Sequence, residues 1–270
     1  MEPPTYLAKK NPHPRDKCIS FDEGPHIYTI HGDSNYMSVT KWNHSHFEPF
    51  DADKIIDKMM MGRKWGPAHK YWGQTKEEIK AGWKANGKAA SEAGTNMHYD
   101  IECYYNDMDV EIDLDCIEFD YFLEFETDYG QYMKPYRTEW MIWDNELKFA
   151  GSIDMIFENS DGTLEIYDWK RSVGIKKENR WQSSTTPCIA HLPDSNYWHY
   201  CLQLNTYKAL LEKNYGKKIR GMYLICLHPN NENKSYQKIK VKDLQKEVKD
   251  LFSLRKKMLE KKELKNEAIE

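Results

Sequence analysis

Long apolar runs, paired cysteines and internal repeats are all missing from this 270-residue chain, and each absence removes a class of function. No run of about 18 apolar residues occurs, so no membrane-spanning helix and no membrane partner are expected. The opening, Met1-Glu-Pro-Pro-Thr-Tyr-Leu7, lacks the apolar stretch of a secretory signal. It also lacks the Arg-rich, acid-free pattern of a mitochondrial presequence. The six cysteines, at 18, 103, 116, 188, 201 and 226, form no C-x-x-C pair. A structural zinc or an iron–sulfur cluster is therefore not expected. Without a secretion signal, the cysteines read as reduced, buried thiols of an intracellular protein, whether cytoplasmic, nuclear or at a viral replication site. The lack of a repeat, with this length, leaves one large domain or a domain with a smaller cap.

What is present is a core-forming composition with an uneven charge. Hydrophobic residues make up 40%, with nine Trp and 18 Tyr, enough for a substantial core. The net charge of −4 hides two opposed blocks. Residues 101–170 hold 19 acids against 4 bases, and residues 171–270 hold 11 acids against 21 bases. The acidic run 106–115 reads as a solvated loop or edge. The basic half fits a polyanion-binding surface. It fits an ordinary Lys-rich helix as well, and 242–265 has that pattern.

Along the chain, residues 1–17 are Pro- and Lys-rich and are expected to be loose. Residues 18–40 read as a short hairpin. Asp51 or Asp53 caps a helix through Met61, and the capping box Thr75-x-x-Glu78 starts another through Trp83. A third helix runs from about Gly87 to Asn106, and Tyr121 to Tyr129 is helical. Strands follow at 137–143, 149–157 and 164–171. A polar loop or flap covers 174–196, a helix 196–215 and a strand 219–228. Residues 235–241 pair with that last strand, and Asp243 caps a final charged helix. The order predicts an α/β protein with a mixed central sheet. It divides into an N-terminal hairpin and helical cap region, 1–86, and a core with the final charged helix, 87–270, expected as one compact unit.

The most informative stretch is Gly151-Ser-Ile-Asp154, the turn Asn159-Ser-Asp-Gly162, and Glu165-Ile-Tyr-Asp168-Trp-Lys170. Asp-Gly between two apolar, β-prone runs signals a hairpin. Alternation puts Asp168 and Lys170 on one face, and Asp154 on the partner strand can reach them. Asp and Lys two apart on a strand are common as a solvated pair. Here the surroundings are apolar, and a half-buried acid is costly unless it is paired or binds a metal. Two carboxylates and a lysine at a sheet end can hold a hard divalent cation and a phosphate oxygen together.

Weaker constellations flank this one. Gly94-Thr-Asn-Met-His98-Tyr-Asp-Ile-Glu102 sets His98 and Glu102 one helical turn apart on one face. A lone histidine is more often a packed one than a ligand. Glu139, mid-strand, is either a third acid or the partner of Arg137. Gln203 and Tyr207 share a helix face. Trp169, Trp181, Trp198 and Tyr200 are stacking platforms or core aromatics, with Trp181, in the polar loop, the least core-like.

Taken in order, G-T-x-x-H-x-x-x-E, G-x-x-D, D-x-K and Q-x-x-x-Y resemble the PD-(D/E)xK nuclease superfamily. The likeness is to its RecB-like exonuclease branch, with lambda exonuclease and the mitochondrial genome maintenance exonucleases. The matching residues are Gly94, Thr95, His98 and Glu102, Gly151 and Asp154, Asp168 and Lys170, Gln203 and Tyr207. The resemblance implies a restriction-endonuclease-like αβββαβ core with an N-terminal helical cap. It implies a Mg²⁺- or Mn²⁺-dependent DNA exonuclease of replication, recombination or repair. Asp154 and Asp168 would bind the metal, with His98 completing the site and Glu102 and Glu139 as further candidates. Lys170 would position or activate the attacking water, its pKa depressed near the metal. Gln203 and Tyr207 would orient the substrate or the lysine. Thr95, Arg171, Ser172 and Trp181 are candidate DNA contacts. Relatives with an iron–sulfur cluster carry a cysteine set that this chain lacks. A non-cleaving DNA-end or fork binder and a structure-specific endonuclease are the competing functions. The partner is DNA, with a homo-oligomer or a replication or recombination partner left open.

Overall fold

Apolar alternation and tight turns over residues 134–170 generate a three-strand meander, around which the other elements are arranged. The computed structural model describes residues 4–106 and 116–267. It begins with α1 (Tyr6–Lys10), a 3-10 turn at Pro14–Cys18, and a hairpin of β1 (Ile19–Asp22) and β2 (Ile27–Ile30). The two-residue β3 (Met37–Ser38) runs into α2 (Val39–His44), followed by α3 (Ala52–Met60) and α4 (Lys76–Tyr105). Then come α5 (Ile117–Asp128), β4 (Lys134–Asp144), β5 (Phe149–Glu158) and β6 (Leu164–Lys170). The chain ends with α6 (Asn196–Asn214), β7 (Ile219–Cys226), β8 (Gln237–Lys240) and α7 (Gln245–Glu267). The expected αβββαβ order is present.

The sheet is mixed. β4 pairs with β5 and β5 with β6, both antiparallel. β6 pairs with β7 in parallel, and β8 closes the far edge antiparallel to β7. β4 covers one edge of β5 along its length, so β3 and β6 must share the other. β3 pairs at Phe149 and Ala150, and β6 pairs only from Met155 onward. Residues 151–154 of β5 therefore face a gap on that side.

Helices cover both faces of the sheet. Leu202, Leu204 and Leu210 of α6 join Val39 and Trp42 of α2 and Ile142, Ile153 and Ile166 of the sheet in one buried cluster. On the opposite face Met97 and Ile101 of α4 and Phe122 and Phe125 of α5 pack on Tyr167 and Trp169. At about 25 cal/mol per Å² of apolar area removed from water, these two layers are the main source of stability.

The expected helix boundaries and the loose N-terminal segment are corrected. The helices anticipated at 75–83 and 87–106 are one 30-residue helix, started by the Thr75–Glu78 capping box. Asn86-Gly87 resembles a helix stop, but Gly87 has open space around it and stays helical, a penalty of about 1 kcal/mol that the long helix absorbs. A division at 86/87 thus falls inside α4, and cap and core share one rod. Residues 4–17 are not loose. They seal the outer edge of β4, where Asn11 Nδ2 donates to Tyr136 O (2.8 Å) and Arg15 Nη2 to Trp143 O (2.7 Å). Arg137 pairs with Asp16 (2.8 Å), not with Glu139. Most of the acidic run, 107–115, lies outside the described residues. Among the described residues, no helix is long and apolar enough to cross a membrane.

Asn106 locks α4 to β4. Buried at 3% exposure, it accepts from Leu7 N (2.9 Å) and donates to Thr138 Oγ1 (2.8 Å) and Glu102 O (2.8 Å). Asn106→Ala orphans a buried amide and should cost about 1–3 kcal/mol in urea denaturation. An unchanged midpoint would show that the lock contributes nothing.

Candidate active site

β5 and β6 part immediately after the pair Met155↔Tyr167, and Asp154 and Asp168 are the first residues past it. Trp169 N spans the opening, donating to Asp154 Oδ2 at 3.0 Å. β6 stays tied to β7 through Asp168↔Leu224 and Lys170↔Cys226, so it is held while it diverges. Lys170 Nζ lies 2.6 Å from Asp168 Oδ2 and 4.8 Å from the centre of the Tyr200 ring. The approach to Asp168 is a close, buried ion pair.

His98 and Glu139 complete the cluster. His98, half-buried on α4, faces Trp169 O through Nε2 (3.0 Å), while Nδ1 lies 3.6 Å from Asp154 and 3.7 Å from Glu139. A proton on Nε2 donated to the carbonyl leaves the Nδ1 lone pair toward the acids, the tautomer a metal ligand needs. Glu139 falls opposite Asp154, between the pairs Thr138↔Met155 and Trp140↔Ile153. Its backbone is left-handed, with φ 39°, which is strained for a residue bearing a Cβ. Ser152 Oγ holds its carboxylate at 2.8 Å.

The electrostatics show crowded negative charge. Burial raises the Asp154 pKa, and the Asp168 charge raises it further. Glu102, a turn along α4, is pushed up to about 7 by burial and by Glu139. Burial opposes ionisation of Glu139 too, but the His98 ring overrides it and holds Glu139 low. Burial likewise disfavours the imidazolium of His98, yet Asp154 and Glu139 raise it to about 9. Lys170 departs from expectation. Burial would lower it, but Asp168 first and then Asp154 raise it, so without a metal the lysine is firmly protonated.

The α6 residues sit against this cluster. Gln203 Nε2 donates to the hydroxyl of the buried Tyr207 (3.3 Å). Tyr207 packs over Gly151: a Cβ there would lie 2.8 Å from its Cε1. The glycine of G-x-x-D and the tyrosine of Q-x-x-x-Y are thus two halves of one contact. The sequence reading missed Tyr28 of β2. Burial raises its pKa, and so do the charges of Glu139 and Asp154, so its phenol feels the acids of the site. Its hairpin looked peripheral in sequence, and no pattern within it marked this residue.

The candidate DNA contacts scatter. Thr95 is exposed on α4, one turn before His98. Arg171 is engaged by Glu118 of α5 (2.6 Å), an acid with no sequence signature. Ser172 Oγ donates to Gly174 O (3.2 Å). Trp181 stands apart in the loop after β6, 92% exposed.

A divalent cation fits this donor set. One atom each of His98, Glu139 and Asp154 lie within 4.8 Å of one another. Beside them is the buried carboxylate of Asp168, ion-paired with Lys170. Carboxylates with an imidazole and no thiolate suit hard to borderline ions. In the metal-free state the His98 proton and the Lys170 ammonium supply the positive charge.

The family comparison agrees with the fold. A family model for the PD-(D/E)XK nuclease superfamily matches residues 74–270. No curated protein matches the sequence. Among solved structures, the chain is similar to a protein from Eubacterium rectale, provisionally named an exonuclease and determined at 2.19 Å. The identity is 13%, over 84% of this chain and 79% of that one, with a TM-score of 0.39.

The Gly151–Tyr207 contact is testable. Tyr207, 3% exposed, has nowhere to move. Gly151→Ala should cost about 1–3 kcal/mol, seen as a fall in thermal midpoint of about 2–4 °C per kcal/mol. Tyr207→Ala removes the obstacle, so the double variant should lose less than the sum of the two singles. Strict additivity would refute the coupling.

Proposed function

The chain belongs to the PD-(D/E)XK nuclease superfamily, and from that premise we propose a divalent-metal-dependent DNA exonuclease. It acts at DNA ends or on single strands, in replication, recombination or repair. The observation that carries the reading is the convergence of Asp154, Asp168, Glu139, His98 and Lys170 where β5 and β6 part. Such a crowd of acids beside a fixed ammonium suits a phosphodiester, whose charge grows in the transition state.

Asp154 and Asp168 would hold Mg²⁺ or Mn²⁺ with His98, and Glu139 stands ready as a further ligand. Bound there, the ion supplies Lewis-acid stabilisation of the phosphoryl oxygens and lowers the pKa of water. Lys170, protonated and braced by Asp168 and the Tyr200 ring, donates to a phosphoryl oxygen or orients the attacking water. Without the ion it is a cation, held protonated by Asp168 and Asp154. Gln203 and Tyr207 orient substrate or Lys170 from α6. Ser152 and the strained backbone at Glu139 keep that carboxylate aimed at His98 and Asp154.

With Mg²⁺ or Mn²⁺, the wild-type protein should degrade end-labelled linear DNA and leave a covalently closed circle intact. EDTA should stop the reaction. Lys170→Ala and Asp154→Asn should each lower the rate by about 10²-fold or more, with an unchanged circular-dichroism spectrum. Wild-type rates in either variant would sink the site assignment, and cutting of the circle would make the enzyme an endonuclease.

A further inference from the structure

The segment from Gly174 to Ser195 contains little regular structure, yet it is firmly braced. Ser183 and Pro193 form a β-bridge, Asp194 N donates to Gln182 O (3.0 Å), and Ser184 Oγ donates to His46 O (2.8 Å). Asn179 is the pin. Its Oδ1 accepts from Trp181 N (3.0 Å) and Gln182 N (3.1 Å), and its Nδ2 donates to Asp194 O (2.7 Å). The backbone of Trp181 is thus fixed while its side chain is 92% exposed. A tryptophan held out on a braced loop forgoes the burial that a core position would give a large apolar side chain. Such a ring is preorganised for a partner that brings its own flat apolar face.

The surroundings specify that partner. Trp181 lines an open cleft of about 480 Å³ with Lys176, Arg180 and the start of α6. Two acids also border it, so the cations attract a phosphate locally and the cleft as a whole carries no excess positive charge. Glu178 makes a loose, solvent-exposed pair with Arg180 (3.7 Å), and Asp194 is hydrogen-bonded to His199 (2.8 Å). Ser195 Oγ, also on the cleft wall, is buried without a partner. The cleft adjoins the candidate active site. Tyr200, whose ring meets Lys170, is four residues into α6 from Asn196, about 6 Å along the helix axis. An exposed indole flanked by cations, beside a phosphodiester-cleaving centre, matches the chemistry of an unpaired nucleotide.

We propose that Trp181 is a stacking platform for an unpaired base of the substrate strand, with Lys176 and Arg180 on the adjoining phosphates. The inference rests on the DNA-cleaving reading and adds to it that the strand beside the site is single-stranded. A paired base has its faces covered by its neighbours and cannot use the platform.

The test is fluorescence anisotropy of a labelled single-stranded oligonucleotide in EDTA, where no cutting occurs, beside the same strand made of abasic nucleotides. Trp181→Ala should weaken binding of the base-bearing strand by about fivefold or more and leave the abasic strand unaffected. Trp181→Phe should restore most of the loss. Lys176→Ala should weaken both strands alike, because a phosphate contact ignores the base. Wild-type affinity of Trp181→Ala for the base-bearing strand would overturn the platform, as would an equal loss on both strands. Metal-dependent cleavage of linear DNA by the wild-type protein is measured in parallel. Cleavage with an inert Trp181 defeats this inference alone. A wild-type protein that neither binds nor cleaves DNA defeats the nuclease reading and the platform with it.

Discussion

The site depends on the parting of two strands. β5 and β6 are paired through Met155↔Tyr167 and separate at Asp154 and Asp168. A continued ladder would leave no room for a cation or a phosphate between them. The separation is enforced on both sides, since β6 follows β7 in parallel while β5 stays with β4 and β3. The one link left across the opening, Trp169 N to Asp154 Oδ2, fixes the carboxylate.

Charge is the second constraint. Glu102, Glu139, Asp154 and Asp168 influence one another from within a partly buried cluster. Against these four carboxylates stand one ammonium and one imidazolium, leaving two negative charges uncompensated when all are ionised. Burial makes that imbalance costly. A divalent cation removes it, whereas partial protonation of Glu102 and Asp154 relieves it only in part. The left-handed Glu139 belongs to the same account. Strain of this kind, of order 1–3 kcal/mol, persists only where its surroundings demand it. Here it holds a third acid against His98 and Asp154.

Much of this could be read from the sequence, for definable reasons. The hairpin and the two acids beside Lys170 followed from alternation and an Asp-Gly turn, which are local signals. The helix pairs His98/Glu102 and Gln203/Tyr207 followed from the same kind of periodicity. What escaped were contacts between distant segments. Tyr28, on a hairpin with no motif, feels the charge of the site's acids, and Glu118 captures Arg171 from α5. Arg137 turns to Asp16 because the N-terminal segment covers β4, which alternation within one strand cannot reveal. The Asn86-Gly87 stop signal was real but weak, and propagation of a long helix overrode it.

Lys170 shows why geometry alone does not assign a role. Its position beside Asp168 suits either a base that activates water or a cation that steadies phosphate. The two roles require opposite pKa shifts. Burial favours the base, but Asp168 and Asp154 outweigh burial and keep the proton on. A divalent ion shared by those carboxylates would divert part of their field from the lysine, so ion and ammonium compete for the same negative charge. The lysine is therefore tied to the acidic cluster electrostatically as well as by position. Its alternation with Asp168 on β6, two residues apart, is what places both cations against one carboxylate.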